Sequence, residues 1–163
     1  MTLNQIVKEI TTIGNDHEQI KFVYFGDVWE RLSNGEVTYP ALFFTLTSAQ
    51  FLAKQIQYSF SIYLMDRMLS EETNETEVLS DMTLIGEDVM AQLRKPTQQW
   101  VVSDNASITY YTESDPDYLA GIKIDITLTL PSINNRCQVI VQSLFFGIMI
   151  VILFPRILQC FLL

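Results

Sequence analysis

Residues 55–66 read QIQYSFSIYLMD, and they alternate apolar and polar side chains along their length. The apolar set is Ile56, Tyr58, Phe60, Ile62 and Leu64, and the polar set is Gln55, Gln57, Ser59 and Ser61. Successive side chains of a β-strand point to opposite faces of its sheet. This period of two therefore predicts a long strand with one buried and one solvated face.

Residues 122–130 repeat this alternation, and a segment with helical spacing lies between the two strands. The apolar residues of the second strand are Ile122, Ile124, Ile126, Leu128 and Leu130, and the polar ones are Lys123, Asp125, Thr127 and Thr129. Residues 75–95 carry an apolar stripe of Val78, Met82, Ile85, Val89 and Leu93. Asn74 and Glu77 have the spacing of a helix start, and Pro96 marks its end. We expect this helix to cover the apolar faces of both strands.

Shorter signals place the remaining elements around these three. Residues 1–14 are predicted to form a helix that begins with a capping box of Thr2 and Gln5 and ends at Gly14. Residues 28–32 fit a strand or a helical turn, and Ser33-Asn34-Gly35 predicts a tight hairpin turn. Further strands are expected at residues 20–25, 40–51 (buried on both faces over 41–46), 100–102 and 106–111. The sequence therefore predicts an α+β fold over residues 1–130, with a mostly antiparallel sheet and two helices packed on one face.

Residues 131–163 form an apolar C-terminal tail of different composition. Its segment 137–155, CQVIVQSLFFGIMIVILFP, lies between Arg136 and Arg156, and its nineteen uncharged residues match the ~20 that a membrane-spanning helix needs. Three interpretations stay open: a transmembrane anchor, a segment buried in an oligomer, and an aberrant end that is not native to the domain. Both cysteines, Cys137 and Cys160, lie in this tail, so no disulfide framework is expected in residues 1–130.

The charge balance argues against a nucleic-acid-binding protein. The chain has 10 Lys and Arg against 19 Asp and Glu, a net charge of −9. Every acidic residue lies at or before Asp125, and residues 1–130 hold 8 of the basic residues, which gives 8 − 19 = −11 for that part. Binding to DNA phosphates requires clustered Lys and Arg, so we expect no specific binding, although DNA could still pass nearby.

The sequence contains no recognisable catalytic, cofactor-binding or metal-binding pattern. His17 is the only histidine, and we expect it to be solvated in a polar loop because catalysis or metal binding would need partners placed around it. SEETNET (70–76) and ESDPD (113–117) are predicted to be a surface loop and a turn, since ESDPD lacks the glycine and the ligand spacing of a calcium loop. The sequence thus favours a protein without enzyme activity or cofactor.

Several short motifs together resemble a group of tail proteins from tailed phages and prophages of gut Bacteroides, including crAss-like phages. The element order also resembles that of tail terminator and tail completion proteins of long-tailed phages. The resemblance covers residues 1–130. It is carried by Phe25-Gly26-Asp27, Tyr39-Pro40, the long aromatic strand ending in Asp66, SEETNETEVLSD (70–81) and Asp88.

The resemblance implies a structural virion protein that forms a ring at the head–tail junction or tail end. Such a protein would be a homo-oligomer, with six-fold symmetry or a multiple of it, and would contact tail-tube and neck proteins. It would reside in the host cytoplasm before assembly, and an acidic inner surface would let DNA slide through. The alternative is a membrane protein, anchored through residues 137–155, that presents an acidic α+β domain to a partner. A third and weaker alternative is a domain that binds a small ligand or a metal.

Overall fold

The computed structural model describes residues 1–34, 36–69, 74–113 and 118–131. Apart from Pro131, the apolar tail therefore lies outside the described residues, with its candidate membrane span, Cys137 and Cys160. Residues 70–73 and 114–117, the larger parts of the two acidic stretches, lie outside them as well.

The described residues form three helices and six strands. The helices are α1 (Leu3–Asn15), α2 (Val28–Asn34) and α3 (Glu75–Leu93). The strands are β1 (Phe22–Phe25), β2 (Ala41–Phe51), β3 (Gln55–Arg67), β4 (Val101–Val102), β5 (Ser107–Glu113) and β6 (Leu119–Pro131). The predicted α+β class with a mostly antiparallel sheet is confirmed.

One sheet contains all six strands, in the order β1-β2-β3-β6, with both β4 and β5 on the far side of β6. All of its pairs are antiparallel except β1 with β2. The two long strands predicted from the alternating patterns are direct neighbours, because β3 pairs with β6 along all thirteen residues from Gln55 opposite Pro131 to Arg67 opposite Leu119. Strand β3 is thus central and has no free edge.

Helices α1 and α3 cover one face of this sheet, called here the helix side. Ile6 and Ile10 of α1 and the predicted stripe of α3 are all buried there, with Ile85 only 2% exposed. Gly86 allows α3 to approach closely, since a Cβ at this position would lie 2.7 Å from Ile122 Cδ1 on β6. Leu64 of β3 lies 3.5 Å from the same point. The prediction that this helix covers both long strands is confirmed.

Helix α2 covers part of the opposite face, which the sequence did not predict. Its Val28 and Leu32 belong to a second apolar cluster with Phe43, Met65 and Leu119. The face of β3 expected to be solvated is therefore partly covered, and Met65 is fully buried. The helix itself begins after Asp27, whose Oδ1 accepts a hydrogen bond from the Glu30 amide at 3.0 Å, which satisfies one of the free N–H groups of the first turn.

Two predicted turn or cap positions are wrong. Ser33 and Asn34 lie inside α2, and the strands on either side of them, β1 and β2, pair in parallel, so no hairpin forms there. Gly14 lies inside α1 rather than ending it, and its missing side chain makes room for Val23, whose Cγ2 would lie 2.9 Å from a Cβ. The capping box of Thr2 and Gln5 is present as predicted.

The start of α3 also differs in detail from the expectation. Asn74 occupies the N-cap position but makes no side-chain capping bond to the helix. Its Oδ1 instead accepts a hydrogen bond from the Leu69 amide at 2.7 Å. At the other end the predicted stop is correct, and Trp100 Nε1 donates to the Leu93 carbonyl at 3.0 Å, which satisfies one of the free carbonyls of the last turn.

Candidate assembly surfaces

Among the described residues, the outer edges of β1, part of β2, β4 and β5 have no strand partner, and the two longest of them, on β2 and β5, lie on opposite sides of the sheet. On one side, β1 pairs only with residues 41–44 of β2, which leaves residues 45–51, the free β2 segment, with an open outer edge. On the other side, β5 pairs with β6 along its inner edge, and its outer edge is open. Each edge presents backbone N–H and C=O groups that another strand could pair with.

Both edges lack the charges and prolines that usually protect an exposed strand. The free β2 segment reads TLTSAQF, and β5 reads SITYYTE, with its only charged residue at the last position. Lys54 is the only charged residue between Glu36 and Asp66, and Asp104 is the only one between Lys95 and Glu113. Charged side chains and proline discourage edge-to-edge pairing, so these two edges are suited to it.

Large apolar side chains are exposed beside each edge. At the end of β2, Phe51 is 83% exposed, and Leu52, the first residue after the strand, is also exposed. On β5, Ile108 and Tyr110 are exposed at 44% and 56%. Leu84 of α3 is exposed next to Tyr110, and the two residues line the same shallow groove. Aromatic residues such as Phe51 and Tyr110 are enriched in protein interfaces relative to the rest of the surface.

The apolar residues beside the two edges all lie on the helix side of the sheet. Ile108 and Tyr110 stand opposite Ile124 and Ile122, which contact α3. Phe51 stands opposite Ile56, which packs against the main core. If one edge were added to the other in a continuous sheet, their apolar side chains would therefore share a face.

The opposite face of the sheet is polar and nearly neutral where α2 does not cover it. Cross-strand pairs of β3 and β6 satisfy one another there: Ser59 and Thr127 hydroxyls lie 3.2 Å apart, and Ser61 Oγ donates to Asp125 Oδ1 at 2.5 Å. Lys123 Nζ lies 2.9 Å from Asp125 Oδ2, and this hydrogen bond raises the pKa of the lysine. The paired charges leave a flat surface of hydroxyl and amide groups, called here the polar face.

His17 is not solvated, which corrects the sequence expectation. Its side chain is only 15% exposed, and its Nε2 lies 3.6 Å from Asp88 Oδ2 of α3. Its Nδ1 accepts a hydrogen bond from the Gln19 amide at 3.3 Å. The residue thus ties the loop after α1 to α3.

The described part of the chain contains no group of three or more His, Cys, Asp and Glu side chains that could hold a metal ion. None of the helices in this part of the chain has the length and hydrophobicity of a membrane span. Comparison with known proteins adds no assignment, because no family model matches the chain. No curated protein matches it either.

Residues 55–61 lack charge and proline, and the sequence left two placements open for this strand: the centre of the sheet, or an edge that another copy completes. The structure places it at the centre, between β2 and β6. The true edges share the same composition, so composition alone could not separate them. The distinguishing fact is that β1 is four residues long and covers less than half of β2, and this depends on tertiary pairing.

Proposed function

We propose that this chain is a structural protein of a phage virion that assembles into a ring at the head–tail junction or the tail end. One observation supports the assembly most directly: within the described residues, two strand edges whose only charged residue is Glu113 lie open on opposite sides of the same sheet. The resemblance of residues 1–130 to phage tail proteins suggests where such a ring would function.

Two different open edges favour head-to-tail association over a symmetric pair. In a heterologous contact, one patch of a subunit meets a different patch of the next subunit, and repetition gives either a closed ring or a filament. The free β2 segment and the outer edge of β5 are two different patches of this kind. Strand addition would pair the backbone groups of both edges in a single type of contact.

The polar face is suited to line the inner surface of a ring through which DNA passes without binding. Its lysine is paired with Asp125 rather than free to contact a phosphate. Five carboxylates lie instead on α3, on the helix side: Glu75, Glu77, Asp81, Glu87 and Asp88. The sequence suggested an acidic inner surface; a neutral one would serve the same purpose, since attraction of phosphates requires free positive charge.

The test is the assembly state of the purified full chain. We expect gel filtration with light scattering to show a discrete oligomer, and electron microscopy of the same fractions to show rings. Both measurements are repeated in a non-ionic detergent, because an assembly held together only by the apolar tail would dissociate there. A strict monomer at high concentration, with no ring in the presence of tail-tube protein, would contradict the proposal.

A second candidate function is supported by the uncharged segment 137–155. Its nineteen residues are long enough to span a bilayer, so the chain could present its acidic domain from a membrane. In that case the full chain would partition into liposomes and resist extraction by carbonate. A full chain that stays in the aqueous fraction would exclude this candidate.

A further inference from the structure

We propose that the outer edge of β5 in one copy pairs, antiparallel, with the free β2 segment of a second copy, so that Phe51 packs against Ile108 and Lys54 lies beside Asp104. This inference rests on the proposed ring and identifies the two surfaces that would build it. The partner is thus a second copy of this chain.

The two edges match in direction over a short, regular stretch. A β-bulge between Leu46 and Ser48 interrupts the free β2 segment, so residues 48–51 are the part that can pair in alternation with residues 108–111 of β5. Strands β2 and β6 run in one direction, whereas β3 and β5 run in the other. When two copies are related by rotation about a ring axis, β2 of one copy meets β5 of the next as an antiparallel pair, the commoner type of pairing.

The two faces of the sheet limit the possible registers of this pairing to those that differ by two residues. Side chains on the helix side of one copy must lie on the helix side of the joined sheet, because a slip by one residue would place Phe51 on the polar face. One allowed register sets Phe51 opposite Ile108, which is an aromatic side chain beside a β-branched one and a favourable cross-strand pair. The same register sets the small Ala49 opposite Tyr110, which leaves the tyrosine ring room.

The groove between α3 and β5 would receive the apolar turn of the second copy. Ile108 lines this groove with Met90 and Ala91 of α3. Phe51, which is 83% exposed in the single chain, would lie over Ile108 at the entrance to the groove. The contact would therefore bury the most exposed large apolar side chain of the described residues.

The charges next to the two edges are complementary. In the register that pairs Phe51 with Ile108, the β2–β3 turn that holds Lys54 lies at the same end of the contact as the loop before β5 that holds Asp104. Both Lys54 and Asp104 are exposed, and Asp104 lines a groove together with Glu87 and Arg94 of the same chain. Opposite charges at an interface fix the register and suppress wrong pairings, so this pair would select this alignment over others.

Charge reversal tests the alignment in the full chain. We expect Lys54→Glu or Asp104→Lys alone to raise the concentration of half-assembly by roughly tenfold, measured by light scattering. The double variant, with both charges exchanged, should recover most of the assembly. Lys8→Glu and Glu18→Lys, which change exposed residues away from both edges, are the matched controls and should assemble like the unmodified chain.

A disulfide tests the contact directly. In a chain with Cys137→Ser and Cys160→Ser, we introduce Gln50→Cys and Thr109→Cys, which this register places opposite each other on the polar side. Mild oxidation should give a ladder of covalent multimers, because each copy then carries one cysteine for each neighbour. Gln50→Cys with Thr112→Cys, which are out of register and on opposite faces, should give no ladder.

The outcomes separate this inference from the proposed function. If the unmodified chain is a monomer, the proposed function fails. If it assembles while the exchanged charges and the cysteine pair have no effect, only the edge pairing is wrong. Covalent dimers from Thr109→Cys alone would show that β5 pairs with β5 of another copy, and this result would overturn the inference.

Discussion

Gly121 lies in β6 where no side chain fits. A Cβ at this position would lie 2.1 Å from the Leu64 carbonyl oxygen and 2.9 Å from Tyr111 Oη. The oxygen belongs to the backbone of the central strand, which cannot shift without breaking its pairing with β6. We expect Gly121→Ala to lower the free energy of unfolding by about 3 kcal/mol.

Urea unfolding, monitored by tryptophan fluorescence, measures this change. Trp100 is only 5% exposed, so its fluorescence reports on the core. The matched control is Gly86→Ala. Its nearest obstacle is the flexible end of Ile122, and alanine favours a helix over glycine by about 1 kcal/mol, so its effect should be much smaller. Equal midpoints for Gly121→Ala and the unmodified chain would disprove the close-contact explanation.

Asp66 at the end of β3 should reduce stability at neutral pH. Burial raises its pKa above the ordinary 3.8, and nearby Asp81 acts in the same direction, although a hydrogen bond from the Arg67 amide opposes them. The folded state therefore binds the proton more tightly than the unfolded state. The stability contributed by protonated Asp66 is present below the ordinary pKa and is lost as pH rises through the raised value.

We accordingly expect Asp66→Asn to raise the Tm near neutral pH, with a gain that shrinks as the pH falls below 3.8. Asparagine keeps an oxygen that can accept the bond from the Arg67 amide, so the substitution removes mainly the charge. Thermal unfolding of the Asp66→Asn variant and of the unmodified chain, from neutral pH to below 3.8, measures this gain in Tm. A gain that stays constant with pH would mean that ionisation of Asp66 is not its cause.

At the scale of elements, α3 holds the helix side of the sheet together, and Ile85 lies near the centre of its buried stripe. We expect Ile85→Ala to cost about 2–5 kcal/mol by leaving a cavity. Ile85→Asp should unfold the domain, since an unpaired buried carboxylate costs several kcal/mol. Circular dichroism and urea unfolding test both variants.

Leu84 provides the control on the same helix. It precedes Ile85 in sequence but is 58% exposed, so Leu84→Asp should remain folded with nearly unchanged helix content. If Leu84→Asp and Ile85→Asp behaved alike, the direction in which α3 packs would be wrong.

The elements that sequence predicted well are those with a long, regular pattern. Strands β3 and β6 and helix α3 each repeat their apolar period several times, and their buried faces were largely identified. Helix α2 is only seven residues long, too short to show a period, and it is stabilised by contacts with distant residues such as Met65 and Leu119. The parallel pairing of β1 and β2 and the open edges depend equally on such distant contacts, which no local pattern encodes.

For the molecule as a whole, the net charge of −9 opposes binding to DNA. We expect no measurable binding to duplex DNA at physiological salt by fluorescence anisotropy, because phosphate binding depends on clustered Lys and Arg. Binding tighter than micromolar that weakens with added salt would contradict this and restore a nucleic-acid role.

The two edges proposed to pair lie at different heights along the sheet, and this offset sets the geometry of any closed assembly. Ala49 is level with Leu128 of β6, whereas Tyr110 is level with Ile122, six residues away or about 20 Å at ~3.4 Å per residue. Each copy spans four strand spacings of ~4.8 Å, about 19 Å. Copies joined at these edges would form an open helical assembly rather than a closed ring, unless the strands tilt by about 45° from the ring axis. This tilt is close to the one at which β-barrels close.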